Sequence, residues 1–282
     1  MLRKWSRGVL TVALPVMLLT ACVSSTQQGA TGVSRKQFML LSSDEVNAMS
    51  LQSYTGELNT GRQKGILNAD KATLERIRRI ADRLIPQTAV FRPDAPAWKW
   101  EVNLETSNEV NAYCAPGGKI MFYTGLIQKL NLSDDEIAAV MGHEISHALR
   151  EHGRERMSQA YAQQIGLSLA GSLLGMSDTE AALAQNVAQM AITLPHSRGQ
   201  ESEADVLGLE LSARAGYDPR AALSLWKKMS QLGDSGPAFL STHPSSPERM
   251  QNLQARLPQV MPLYQAAQTN GATRAPRVVP RT

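Results

Sequence analysis

The chain has 282 residues, of which 43% are apolar and 19% charged, an ordinary globular composition with length for one substantial core or two small ones. Its formal charge of +4 is concentrated at the ends, with Arg3, Lys4 and Arg7 at the start and Arg274, Arg277 and Arg281 at the finish. The body between them is slightly acidic, so the basic pI gives no argument for a nucleic-acid partner, and none is expected.

A basic start followed by the apolar stretch Val9–Leu19 predicts a secretory signal peptide over residues 1–21. The stretch is too short to span a bilayer comfortably. Leu19-Thr20-Ala21-Cys22 resembles the lipobox of bacterial lipoproteins, which implies a lipidated Cys22; an ordinary signal peptide with a chance cysteine is the alternative. Several acyl chains on one residue would make a stable anchor. Val23 after the cysteine resembles the outer-membrane sorting pattern, so a lipid anchor in the bacterial outer membrane, facing the periplasm, is expected. With Cys22 lipidated, Cys114 has no intramolecular partner and reads as a buried small residue.

Residues 23–35 are rich in Ser, Thr, Gln and Gly and predict a flexible tether, so residues 22–42 are expected to be a lipidated cysteine and its tether. A helix starts near Ser43. Leu74, Ile77, Ile80, Ala81, Leu84 and Ile85 repeat at helical spacing, and Pro86 ends that helix. Trp98–Leu104, Asn111–Cys114 and Lys119–Tyr123 predict three short strands, the last two joined by Pro116-Gly117-Gly118. Ser133 with Glu136 forms a capping box for a helix through Leu149. The apolar run Ile165–Met176 has 12 residues, below the ~20 of a spanning helix, and predicts a core or lid helix, with a membrane or partner contact as the alternative. Further helices are predicted over 200–214 and from Asp218-Pro219 through Trp226. Residues 43–265 form the expected domain, and 266–282 an expected disordered tail.

The chemistry lies in Gly142-His143-Glu144-Ile145-Ser146-His147, an H-E-x-x-H pattern on a predicted helix. Histidines four apart project from one face and can hold one Zn²⁺. Glu144, between them, can take a proton from a metal-activated water. Arg150 and Gly153 stand where metzincins carry glycine and histidine, so that class is not expected. His152, five residues after His147, is expected on another face of the helix, solvated or supporting a ligand. A third ligand must come from another helix. Glu201-Ser202-Glu203-Ala204-Asp205 offers Glu201, with Asp205 on the same face to orient a ligand histidine and Glu203 about 200° away. A solvated acidic helix is the alternative reading of that run.

G-H-E-x-x-H-A-L, S-R-x-x-E-x-E-A-D and S-T-H-P-S-x-x-E-R, over roughly residues 70–260, resemble the gluzincin metallopeptidases of the CAAX-prenyl-protease, HtpX and Oma type, and within them LoiP-like lipid-anchored members. The resemblance implies zinc on His143, His147 and Glu201, Glu144 as base, Asp205 behind a ligand, and His243 near the site to steady a charged intermediate. Arg249 and Arg198 are expected to tie the C-terminal segment to the ligand helix. His196, where the family often has an aromatic residue, is not assigned to zinc. The expected fold is α+β and mainly helical, with a small antiparallel sheet against the active-site helix. The expected function is endoproteolysis of unfolded or misassembled envelope proteins, in possible association with outer-membrane assembly machinery; a lipid-anchored chaperone with little proteolysis is the alternative.

Overall fold

A computed structural model describes residues 22–173, 196–232, 238–244 and 247–269. The expected signal peptide, most of the C-terminal tail and the end of the run Ile165–Met176 lie outside the described residues.

The elements are β1 (Cys22–Val23), β2 (Gln37–Phe38), α1 (Ser43–Gln63), α2 (Lys71–Leu84), β3 (Glu101–Glu105), β4 (Ala112–Ala115), β5 (Lys119–Tyr123), α3 (Thr124–Lys129), α4 (Asp134–Leu149), α5 (His152–Leu173), α6 (Arg198–Arg214), α7 (Ala221–Ser230), α8 (Ala238–Thr242) and α9 (Pro247–Thr269). Helix α4 starts as its sequence dictates. Ser133 accepts from the Glu136 backbone N–H, and Glu136 accepts from Ser133, while Asp134, Asp135 and Glu136 complement the helix dipole. Every residue of α4 from Glu136 to Leu149 is buried. On α2 the expected stripe faces inward, with Leu74, Ile77, Ile80, Ala81 and Leu84 all buried in the main core. Each Leu or Ile so buried contributes about 1.5–3 kcal/mol.

The small sheet has the order β3-β5-β4. The expectation of a purely antiparallel sheet is corrected: β4 pairs antiparallel with β5, but β3 pairs parallel with it, Val102 opposite Ile120. The β4–β5 turn is tight because Gly117 and Gly118 adopt φ of 80° and 82°, open to glycine and costly for other residues. The link from β3 to β4 is long enough to carry the chain past β5, so β4 adds on its far side. That leaves β4 at the sheet edge, against α4 and beneath α1.

The expected tether is also corrected. Residues 22–42 are folded onto the body, with β1 and β2 paired antiparallel. Polar composition does not make this segment free, because its groups find buried partners. The Glu210 carboxylate accepts from Ala30 N at 2.9 Å, Thr31 N at 2.9 Å and Thr31 Oγ1 at 2.8 Å. Arg35 pairs with Glu155 and Glu203, each at 2.6 Å. At the other end α9 runs to Thr269, four residues past the expected boundary. Among the described residues no helix is long and apolar enough to cross a membrane. Helix α5 continues through Leu173, with Ile165 37% exposed.

Candidate metal centre

Helices α4 and α6 meet at two glycines. A Cβ on Gly208 would lie 2.7 Å from His143 N, and one on Gly142 would lie 2.9 Å from Gly208 O. Only glycine permits that approach. It places the first turn of α6 beside the second half of α4. His143 and His147 then converge, their Nε2 atoms 3.0 Å apart. Glu201 faces both, with Oε2 3.5 Å from His143 Nε2 and Oε1 3.3 Å from His147 Nε2. His243, at the end of α8, completes a set whose ligand atoms all lie within 4.8 Å of one another.

These residues fit a divalent metal. Glu201 is fully buried, and among the described residues neither carboxylate oxygen has a hydrogen-bond donor of good geometry. Arg249 Nη1 approaches Oε2 at 2.7 Å as an ion pair. A buried carboxylate facing two imidazole nitrogens is an arrangement that a cation completes. Two histidines and one glutamate, with one position left open, is a donor set suited to catalytic zinc.

Behind His143 stands a carboxylate. His143 Nδ1 lies 3.1 Å from Asp205 Oδ1. Arg249 holds Asp205 from the other side, Nε to Oδ2 at 2.6 Å and Nη2 to Oδ1 at 2.7 Å, and stacks 3.9 Å over the Trp226 ring. Arg249 therefore ties α9 to the ligand helix as expected. Arg198 approaches Glu248 on α9 at 4.0 Å between exposed side chains, a contact worth little.

His147 is supported by a relay that sequence reasoning left half open. Its Nδ1 lies 2.8 Å from His152 Nδ1, and His152 Nε2 lies 3.0 Å from Glu203 Oε2. His152 is fully buried, so the solvated alternative is corrected. Helical spacing holds only along one continuous helix, and α4 ends at Leu149, with Glu151 at φ of 48° before α5 begins. The chain turns back and returns His152 to His147. Glu203 lies on another face from Glu201, as its spacing requires, and that face is buried against Arg150, Arg35 and His152. Despite burial, His152 and Arg35 hold the Glu203 carboxyl down at about 2. Burial lowers His152 to about 4 and keeps its imidazole neutral. Arg150 and Glu203 pair in this buried network at 3.1 Å, a role that their spacing in the sequence does not reveal.

Glu144 is buried beside the ligands. Burial pushes its carboxyl up to about 8. Cys114 on edge strand β4 lines the same cleft as this carboxylate. His243 Nε2 lies 3.2 Å from Glu144 Oε1, and burial lowers His243 to about 3, so its imidazole is neutral. The His196 ring lies 3.8 Å from that of His147, with its ring nitrogens against Arg156. Cys114 is buried, and burial pushes its thiol up, away from nucleophilic chemistry. A cleft of about 280 Å³ runs from Glu144, His147 and His243 along β4 to α1.

A helix carrying H-E-x-x-H, a second helix carrying glutamate, and a small sheet with its edge at the cleft define the chain as a metallopeptidase domain. Residues 71–257 match Peptidase family M48, and the chain belongs to that family. It is 41% identical over 151 residues to mitochondrial metalloendopeptidase OMA1 of Arabidopsis thaliana, covering 53% of this chain and 30% of that protein. It is 25% identical over 264 residues to metalloprotease YcaL of Escherichia coli (strain K12), covering 90% of this chain and 98% of that protein. It is 29% identical over 172 residues to the beta-barrel assembly-enhancing protease of Yersinia pestis, covering 56% and 35%. The chain thus spans 30% of the plant OMA1 and 48% of the Schizosaccharomyces pombe OMA1 that it resembles.

Proposed function

We propose that this protein is a zinc-dependent endopeptidase of the bacterial cell envelope that cuts unfolded or misassembled proteins. The observation that carries the reading is the convergence of His143, His147 and Glu201 beside Glu144, at the end of a cleft floored by an edge strand. One zinc ion held by those three residues would supply Lewis acidity and lower the pKa of a water. The substrate lies extended along β4 and pairs with its unpaired backbone groups, which puts a peptide carbonyl beside Glu144. Glu144 takes the proton from the attacking water and passes it to the leaving amine. His243 Nε2–H, neutral and buried, donates to the oxygen on which negative charge develops. An edge strand accepts extended chain and rejects folded protein, which supports unfolded substrates.

The cellular setting is part of the proposal. The Leu19–Cys22 segment supports a lipid anchor at Cys22, and Val23 supports sorting to the outer membrane, with the domain facing the periplasm. The relative named as a beta-barrel assembly-enhancing protease supports association with outer-membrane assembly machinery. Incubation of purified, zinc-loaded protein with casein tests the activity. Chelator-sensitive degradation is the expected outcome. Intact casein, with aggregation of an unfolded client suppressed, would favour a chaperone instead.

A further inference from the structure

The cleft leads away from the metal centre to a carboxylate that the proposed chemistry does not use. Glu57, on α1, lines the same cleft as Glu144, His147 and His243. Tyr113 Oη donates to its Oε2 at 2.5 Å, and Tyr123 Oη donates to its Oε1 at 2.7 Å. Each carboxylate oxygen can accept a further hydrogen bond, and two phenols carry no charge to neutralise it. The other acid on the cleft wall outside the metal centre, Glu151, has cations: Arg154 at 2.9 Å and Arg92 at 3.6 Å. Among the described residues Glu57 forms no ion pair. Glu109 and Glu105 add negative potential around Tyr123, while Lys64 acts on Glu105 in the opposite sense. The walls beside Glu57 are the rings of Tyr54, Tyr113 and Tyr123.

A half-buried carboxylate framed by aromatic rings suits the end of a long basic side chain. The rings cover the methylene stem and attract the cation, and the carboxylate takes the N–H groups. The position relative to the chemistry follows from β4. Cys114 lines the cleft together with Glu144, and Tyr113, one residue back along the strand with its side chain on the opposite face from that of Cys114, donates to Glu57. We propose that Glu57, with Tyr113 and Tyr123, forms a subsite for a Lys or Arg side chain of the substrate, a few residues from the scissile bond. This rests on the endopeptidase reading and adds a substrate preference to it.

The test uses quenched-fluorescent peptides, identical except for Lys, Gln or Glu scanned through the positions flanking the cleavage point. Zinc-loaded wild-type protein should favour Lys over Gln at one position by about tenfold in kcat/KM, the scale of one charge-assisted hydrogen bond. Glu57→Gln should bring that ratio to about one, and Glu57→Lys should shift preference toward Glu. The same peptides are bound to zinc-loaded Glu144→Gln protein, with and without Glu57→Gln, and read by fluorescence anisotropy. A Lys preference in binding without any turnover would overturn the endopeptidase reading and leave the subsite standing. Turnover with no Lys preference, or with one that persists in Glu57→Gln, would overturn the subsite. A uniform change for all peptides, with the Lys-to-Gln ratio unmoved, would reduce Glu57 to pinning α1 and would equally overturn it.

Discussion

His147 Nδ1 sits 2.8 Å from His152 Nδ1, so a proposed metal ligand leans on a second histidine rather than directly on a carboxylate. For His147 to bind metal through Nε2, its Nδ1 must carry the proton and His152 Nδ1 must accept it. His152 Nε2–H then donates to Glu203 Oε2, 3.0 Å away. Every tautomer in the chain is set by the next, and Arg35 and Arg150 hold the last member. His152→Leu should weaken zinc binding about 10–100-fold. His152→Gln, which can accept and donate at similar spacing, should recover most of that loss. Competition against a chelator measures it, and the visible spectrum of the cobalt-loaded protein reports the ligand geometry. Equal affinity in the His152→Leu variant and the wild-type protein would remove the relay from the metal site.

The two acids on α6 should separate in the same assay. Glu201→Gln removes a proposed ligand and should abolish zinc retention through dialysis. Glu203→Gln acts at the far end of the relay and should leave zinc bound at reduced affinity. Retention in the Glu201 variant with complete loss in the Glu203 variant would mean that the wrong acid was chosen.

Glu144→Gln should retain zinc and lose hydrolysis, by at least about 10²–10⁴-fold for the loss of general acid–base catalysis alone. Metal content and casein turnover are measured on one preparation. A zinc-loaded variant with full activity would refute the assignment of the base.

Gly208→Ala tests the helix crossing. The added carbon would lie 2.7 Å from His143 N, so α4 and α6 must part. Overpacking of this kind costs about 1–3 kcal/mol, readable as a lower denaturation midpoint. Zinc retention should fall as well, because the same crossing sets the distance between Glu201 and the two histidines. Unchanged stability and zinc content would show that the crossing tolerates separation.

Glu136 supplies a pH dependence away from the metal. Burial disfavours its charge, but Lys228 at 2.6 Å, Ser133 N at 2.9 Å and Ser224 at 2.7 Å hold its pKa below the usual value. A depressed carboxyl stabilises the fold above its unfolded pKa of about 4.3 and loses that contribution as pH falls through the folded value. Glu136→Gln should therefore flatten the fall in melting temperature below about pH 4.3. Identical slopes in wild type and variant would contradict the linkage.

Much of the candidate site was legible in the sequence because its information is periodic. His143 and His147 are four apart on a helix with an unambiguous capping box, and Glu201 and Asp205 repeat that spacing on another, so each pair shares a face whatever surrounds it. The stripe on α2 and the turn at Gly117-Gly118 are local in the same sense. The tertiary structure alone decided what depends on where the chain doubles back. His152 returns to His147 because Glu151 breaks the helix with a positive φ, which no periodicity signals. Glu203 could be placed off the Glu201 face, yet whether that face meets water or Arg35 depended on a segment whose composition suggests a tether. The parallel pairing of β3 with β5 followed from the path of the connecting chain rather than from strand propensity. Local spacing specifies which side chains leave a helix together. What they meet is settled by burial and by contacts distant in sequence, where the stabilising energy is gained only after the chain has closed.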